Sequence, residues 1–310
     1  MGGETAPIAS AHAQRTGSRS IRVARVPSAL ITGASTGIGR ATTLHLAKAG
    51  WTVLACVREQ AAGERLVAEA GDAPGLYPLL LDVTNAEQIA AAARLIDEQP
   101  SVGGPALNGR LDALVNNAGI AIGGPLELIP LEQMRVQLEV NVIGQLGVTQ
   151  ALLPALRRAR GRIVFVSSIG GRVAMAFTAP YAASKHALEA LGDALRVELR
   201  TSGVQVAIIE PGAVSTPIWD KGRESAGSPV PVELEDEYGH VPAAMDRVLE
   251  NAARRGVPTE QVAETIARAL TARRMKARYL VGSDARAMLL AKRLLPAHIF
   301  DRVARRALGV

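Results

Sequence analysis

Seven short apolar runs, each closed by a turn signal, recur along the chain: SALIT, TVLACV, LYPLLL, LDALVN, RIVFVS, VQVAII and RYLVG. Between them lie longer segments with apolar residues at helical spacing, such as GRATTLHLAKAG, AEQIAAAARLIDE, LEQMRVQLEVNVIGQLGVTQALLPAL and SKHALEALGDALRVELRTSG. A run that is apolar throughout fits a strand buried on both faces. Separated by helices, such strands join through right-handed βαβ crossovers. The pattern therefore confines the chain to the α/β class, as a doubly wound parallel sheet of about seven strands with helices on both faces. One domain over residues 27–284 is expected.

The turn ITGASTGIG links the first apolar run to the first helical segment. Gly33 permits the tight turn, Gly37 lets backbone approach a pyrophosphate, and Gly39 allows close helix–strand packing. The helix N-terminus adds free N–H groups and the positive end of its dipole. This predicts a Rossmann fold binding a dinucleotide. The spacing, however, is T-G-x-x-x-G-x-G rather than G-x-G-x-x-G. LDV ends the third run, NNAG (116–119) follows the fourth, and Asn141 lies in EVNVIG. IVFVSS ends the fifth run, YAASK (181–185) begins thirteen residues after Ser168, and PGAVST (211–216) follows the sixth. Taken in this order over roughly residues 28–282, the motifs resemble those of the short-chain dehydrogenase/reductase family.

The resemblance implies an NAD(P)-dependent oxidoreductase acting on CH–OH groups, with Asn141, Ser168, Tyr181 and Lys185 as catalytic residues. Tyr181 would be the general acid/base, since hydride transfer to or from a carbonyl needs a proton to move on its oxygen. A phenol has a pKa near 10, and an ammonium one helical turn away in a low-dielectric cleft is expected to lower it. Ser168 would hydrogen-bond the substrate oxygen; Ser167 competes for this role, and the thirteen-residue interval favours Ser168. Asn141 would hold a water in a proton relay to Lys185, which would also bind the cofactor ribose. Cofactor contacts are expected from Gly33, Ser35, Thr36, Gly37, Ile38 and Gly39 in the first turn, and from Asp82 and Val83 beside the adenine. Asn117, Ala118 and Gly119, then Tyr181 and Lys185, then Pro211, Gly212, Val214 and Thr216 complete the set, with Thr216 at the nicotinamide amide. NNAG is also expected to pair backbone across strands. No metal is implied.

The choice of cofactor turns on the end of the second run. A carboxylate there would accept the ribose hydroxyls and repel a 2′-phosphate. The sequence instead has Val57 followed by Arg58, and a guanidinium binds phosphate in a bidentate fork. NADP is therefore expected over NAD, with Ser35 and Thr36 assisting and Arg40 a weaker candidate.

Substrate contacts are expected from 169–179 and from a substrate loop at 213–257. Val173, Met175, Phe177, Ile218 and Trp219 favour a hydrophobic secondary alcohol or its ketone or aldehyde. The acidic run ELEDE (233–237) opposes a phosphorylated carrier. The insertion SVGGPALNG (101–109) reads as a loop. Residues 285–310 form an amphipathic, basic extension like that of the hydroxysteroid and retinol dehydrogenase branch. It would pack on its own protein or make peripheral contact with an anionic membrane surface. A ketoacyl-type reductase and a non-catalytic NADP(H)-sensing protein are the alternative readings. The extension weighs against the first, and the full catalytic set weighs against the second.

Charge separates the ends from the body. Residues 1–26, read as a disordered leader, carry +3 (four Arg, one Glu), and residues 285–310 carry +5 (five Arg, one Lys, one Asp). That leaves −2 for the body of a chain of formal charge +6, so no basic face for nucleic acid is expected. A lone cysteine, Cys56, excludes a disulfide framework and fits a reducing, cytoplasmic setting. A homo-oligomer, dimer or tetramer, follows from the resemblance.

Overall fold

A computed structural model describes residues 25–98, 107–216 and 230–308, together with 2, 105, 218 and 219. The leader expected over 1–26 and the insertion at 101–109 fall largely outside the described residues, as do 217 and 220–229 of the substrate loop.

The seven apolar runs form seven parallel strands: β1 (Ser28–Ile31), β2 (Thr52–Val57), β3 (Leu76–Leu80), β4 (Ala113–Asn116), β5 (Arg162–Val166), β6 (Gln205–Pro211) and β7 (Arg278–Val281). Their order is β3-β2-β1-β4-β5-β6-β7, in register from Ala29 beside Val53 and Ala113 to Ile209 beside Val166 and Tyr279. Every residue of β1 and β4 is buried, whereas edge strand β3 alternates. Successive residues of the central strands supply two separate cores. Ile31, Val53, Val115 and Val164 pack under α1 (Gly37–Lys48), α2 (Gln60–Ala70) and α9 (Thr259–Thr271). Leu30, Leu54, Leu114 and Phe165 pack under α3 (Ala86–Asp97), α5 (Gln145–Ala159) and α6 (Ala179–Glu198). Cys56 lies in the second core, where burial pushes its thiol up and leaves it unreactive.

The order reverses between β1 and β4. A doubly wound sheet opens its crevice at that point, beyond the carboxyl ends of its strands. After β6 the chain builds α7 (Glu235–Tyr238) and α8 (Val241–Arg255) before α9, and Val214 bridges to Val257 at the loop's base.

One expected element differs. The segment from Leu131 to Ala159 is not a single α-helix: α4 (Leu131–Leu138) passes into a π-helical turn, Glu139–Gly144, before α5. A Cβ on Gly144 would stand 2.6 Å from the Val83 carbonyl oxygen, so the turn lies hard against the loop after β3. Such wide turns are common at functional sites.

The C-terminal extension folds as two helices, α10 (Ser283–Leu294) and α11 (Ala297–Leu308), divided at Pro296. Ala285 and Phe300 pack on Ile169 and Val173 from the loop after β5. No helix among the described residues is long and apolar enough to cross a membrane.

Candidate active site

A cavity of about 860 Å³ occupies the crevice, bordered from the carboxyl ends of β1 to β6 and from α10 after β7. Of the catalytic and cofactor residues expected from sequence, all but Gly39, Asn141 and the weaker candidate Arg40 border it.

Gly39 acts from behind. A Cβ there would overlap the Gly33 carbonyl oxygen, so the residue brings α1 against the first turn. Gly33 has φ 65°, in the left-handed region that favours glycine. Thr36 precedes α1 without a side-chain cap, and the first turn of α1 has no acidic residue. The helix end is thus left with N–H groups and no negative charge to compete with a phosphate. These features fit a dinucleotide pyrophosphate.

Asn117 fixes the opposite wall: its Nδ2 donates to the carbonyls of Thr32 (2.9 Å) and Gly33 (3.2 Å), while the Thr32 hydroxyl accepts from the N–H of Asn117 and Ala118. NNAG therefore does the cross-strand work expected of it. Behind it stand three fully buried amides spaced four residues apart. Gln137 brackets Ile120 and Ile122, Asn141 holds Ile120, and Gln145 donates to the Ala118 carbonyl. Asn141 also donates to Ser184 Oγ (3.0 Å), the neighbour of Lys185. Its side chain ties the NNAG loop to α6. Gln137 and Gln145 were not singled out from sequence.

Ser168, Tyr181 and Lys185 converge on the cavity. Ser168 Oγ accepts from the Gly170 N–H (3.0 Å) and is hydrogen-bonded to Tyr181. Lys185, 3% exposed, donates through Nζ to the Val166 carbonyl (2.8 Å) and stands 5.6 Å from the Tyr181 ring centroid. Burial pushes the Tyr181 phenol above its ordinary range, and Ser168 pulls it partly back. Nζ is aimed at a backbone carbonyl, and desolvation of the phenol is the larger effect. Burial also pushes Lys185 down to about 8, against the upward pull of Glu189.

At the adenosine end Asp82 accepts from the Thr84 N–H (2.9 Å) and hydroxyl (2.7 Å). Arg58 is exposed at the rim and makes no hydrogen bond or ion pair among the described residues. Arg40, the weaker candidate, is engaged by Glu69.

The substrate side is apolar: Val173, Met175, Ile218 and Trp219 border the cavity as expected, joined by Met245 and Val248. Trp219 tilts over Tyr181, with centroids 5.2 Å apart. Phe177 does not border it. Its backbone is at φ 64°, its carbonyl accepts from Gly124 N–H (2.7 Å), and its ring meets His240 edge-on. Sequence reasoning also missed two wall residues from α10, Asp284 and Met288. Asp284 accepts from the Ala213 N–H (2.7 Å), fastening the loop after β6.

A parallel sheet with a phosphate-ready turn at its switch point, and a serine, tyrosine and lysine facing the same crevice, defines a nicotinamide-dependent oxidoreductase. The short chain dehydrogenase family model matches residues 27–227. An NADPH-dependent 3-dehydrocapnine reductase of Ornithobacterium rhinotracheale is 33% identical over 280 residues, covering 89% of this chain and 95% of that protein. Retinol dehydrogenase 5 of Mus musculus is 35% identical over 285 residues, covering 88% and 86%. A crystallised short-chain dehydrogenase from Streptomyces avermitilis superposes with a TM-score of 0.71 at 30% identity, covering 91% of this chain and 98% of that one. The chain belongs to the short-chain dehydrogenase family.

Proposed function

We propose that the protein interconverts a hydrophobic secondary alcohol and its ketone, or a primary alcohol and its aldehyde, with NADP(H), and that Tyr181 is its general acid/base. The observation that carries this reading is the convergence of Tyr181, Ser168 and Lys185 in a cavity walled by Val173, Met175, Ile218 and Trp219.

The dinucleotide, when bound, supplies or accepts the hydride. The remaining work falls to the chain. In the reductive direction Ser168 Oγ–H donates to the substrate oxygen and orients it beside Tyr181. Tyr181 Oη then gives up its proton as charge develops on that oxygen. The upward push on the phenol keeps this proton in place at neutral pH, which suits a donor. Lys185, when charged, stabilises the phenolate left behind. Trp219 and the methionines exclude water from the reacting face. Loss of the Lys185 proton removes that stabilisation, so kcat/KM for reduction should fall as pH rises past about 8.

Selection of NADP rests on Arg58 and on Val57 standing where a carboxylate would repel the 2′-phosphate. The NADPH dependence in the name of the Ornithobacterium relative agrees. Arg58→Ala should remove a charge-assisted contact worth roughly 1.5–3 kcal/mol, raising the Kd for NADPH by about 10–100-fold. The Kd for NADH should change little, and equal losses for both would make the arginine merely structural.

The function itself is tested by following NADPH and NADH absorbance against a panel of hydrophobic ketones and aldehydes, with Tyr181→Phe protein as blank. Turnover by the wild type with NADPH is expected. Silence across the panel with tight cofactor binding would overturn the substrate class.

A further inference from the structure

A chain of charged side chains passes behind the turn that carries Ser168, and the mechanism above does not use it. Glu210, on β6, is 2% exposed. Its Oε1 accepts from Arg172 Nη1 (2.9 Å) and lies 3.0 Å from Arg278 Nε of β7. Arg278 is itself held: its Nε donates to Glu189 Oε2 (3.0 Å) and its Nη2 to Asp193 (2.7 Å), both on α6. Neither Arg172 nor Glu210 borders the cavity.

The Arg172–Glu210 pair closes a short loop of chain. Just past β5, the Ser167 N–H donates to the Ile209 carbonyl of β6 (2.9 Å). The chain then passes through Ser168 into the 3-10 turn Ile169–Gly171. There the Gly170 N–H donates to Ser168 Oγ (3.0 Å), and the Gly171 N–H donates to the Ser168 carbonyl (2.9 Å). Arg172 leaves the turn and reaches back to Glu210, the residue after Ile209. The span 168–172 is therefore pinned at its entrance and its exit to consecutive residues of one strand. It also lies against the phenol: a Cβ on Gly170 would stand 3.3 Å from Tyr181 Cε1 and 3.5 Å from Ser168 Oγ.

The sheet does not need this pair. Backbone pairing already joins β5 to β6 from Arg162 beside Gln205 to Val166 beside Ile209. A buried carboxylate is costly to desolvate, and apolar side chains of similar size commonly stabilise a fold as well or better. What a charge-assisted hydrogen bond adds is a defined direction and length between the exit of the turn and the strand.

We propose that Arg172 is a positioning residue: its ion pair with Glu210 holds the turn that carries Ser168, and so sets where Ser168 Oγ meets the substrate oxygen. Neither side chain touches the reacting atoms. The catalytic consequence rests on the oxidoreductase reading. The hold of the pair on the turn does not.

Two measurements on the full-length protein test this. The first needs no substrate: amide hydrogen exchange, read by NMR at Gly170 and Gly171, whose N–H groups are bonded only while the turn is formed. Arg172→Met should speed exchange at both by roughly tenfold or more, as a local opening made easier, and leave the amides of β5 and β6 unchanged. Arg172→Lys keeps a donor for the single contact and should recover much of the protection. The second measurement is kinetic. Arg172→Met should lower kcat by roughly 10–100-fold, the cost of a small misplacement in the site, with little change in the Kd for NADPH. In a Ser168→Ala background the same substitution should cost little more, because the group it positions is gone. Unchanged exchange in Arg172→Met, or an equal loss of kcat with and without the Ser168 hydroxyl, would overturn the proposal. If Arg172→Met does not fold, the double variant Arg172→Met/Glu210→Gln removes the pair without leaving a buried carboxylate short of a partner, and is judged by the same outcomes. A wild type without turnover, whose turn still loosens in Arg172→Met, would sink the oxidoreductase reading and leave the hold of the pair on Ser168 intact.

Discussion

Tyr181→Phe is expected to lower kcat by roughly 10²–10⁴-fold, the range contributed by a positioned proton donor, while NADPH binds nearly as before. The substitution removes one oxygen. The ring keeps its contact with Trp219 at 5.2 Å, and Ser168 Oγ still accepts from the Gly170 N–H. The site therefore retains its shape and loses only the group that carries the proton. Steady-state NADPH absorbance gives kcat, and fluorescence titration gives the cofactor Kd. Activity within tenfold of wild type would remove Tyr181 from the proposed role. A parallel loss of cofactor binding would show that the tyrosine organises the site rather than acting in it.

The fold was legible because both faces of the sheet are covered. Every position of strands such as β1 and β4 is buried, so each appears in sequence as an apolar run with a single polar residue at one end, and the glycine turn then marks where the crevice opens. Ser168, Tyr181 and Lys185, proposed to act in the reaction, were legible for a related reason: they sit just past a strand end or in the first turns of a helix, in short motifs whose backbone geometry constrains their neighbours. What escaped was the work of distant pairs. Nothing local to Gln137 or Gln145 says that their amides hold Ile120, Ile122 and Ala118, and those bonds accompany the π-helical turn that breaks an apparently continuous helix. Phe177 looked like a pocket residue by composition. A φ of 64° turns its ring toward His240 instead. Arg172 gave no signal either, since its partner Glu210 lies on β6.

The C-terminal extension is the clearest case of function arriving from outside the motifs, and its removal should be costly. Truncation after Gly282 deletes α10 and α11, and with them Ala285 and Phe300, which cover Ile169 and Val173 on the body of the protein. Those two side chains are 8% and 1% exposed, and uncovering them costs on the order of 3 kcal/mol. For a domain of this size that corresponds to a fall in Tm of roughly 5–10 °C. Activity should fall further than stability. Asp284 no longer fastens the Ala213 N–H, and Met288 no longer closes the substrate side of the cavity. Both losses act next to Ser168 and Thr216, so the truncated enzyme should show a raised KM and a reduced kcat even at temperatures where it remains folded. Asp284→Ala separates the two effects: it leaves the apolar cover in place and should lower kcat without a comparable fall in Tm. Thermal unfolding followed by circular dichroism, alongside steady-state kinetics, distinguishes these outcomes. A truncated protein with wild-type Tm and turnover would make the extension dispensable to the enzyme, and would return its basic, amphipathic face to the membrane-contact reading.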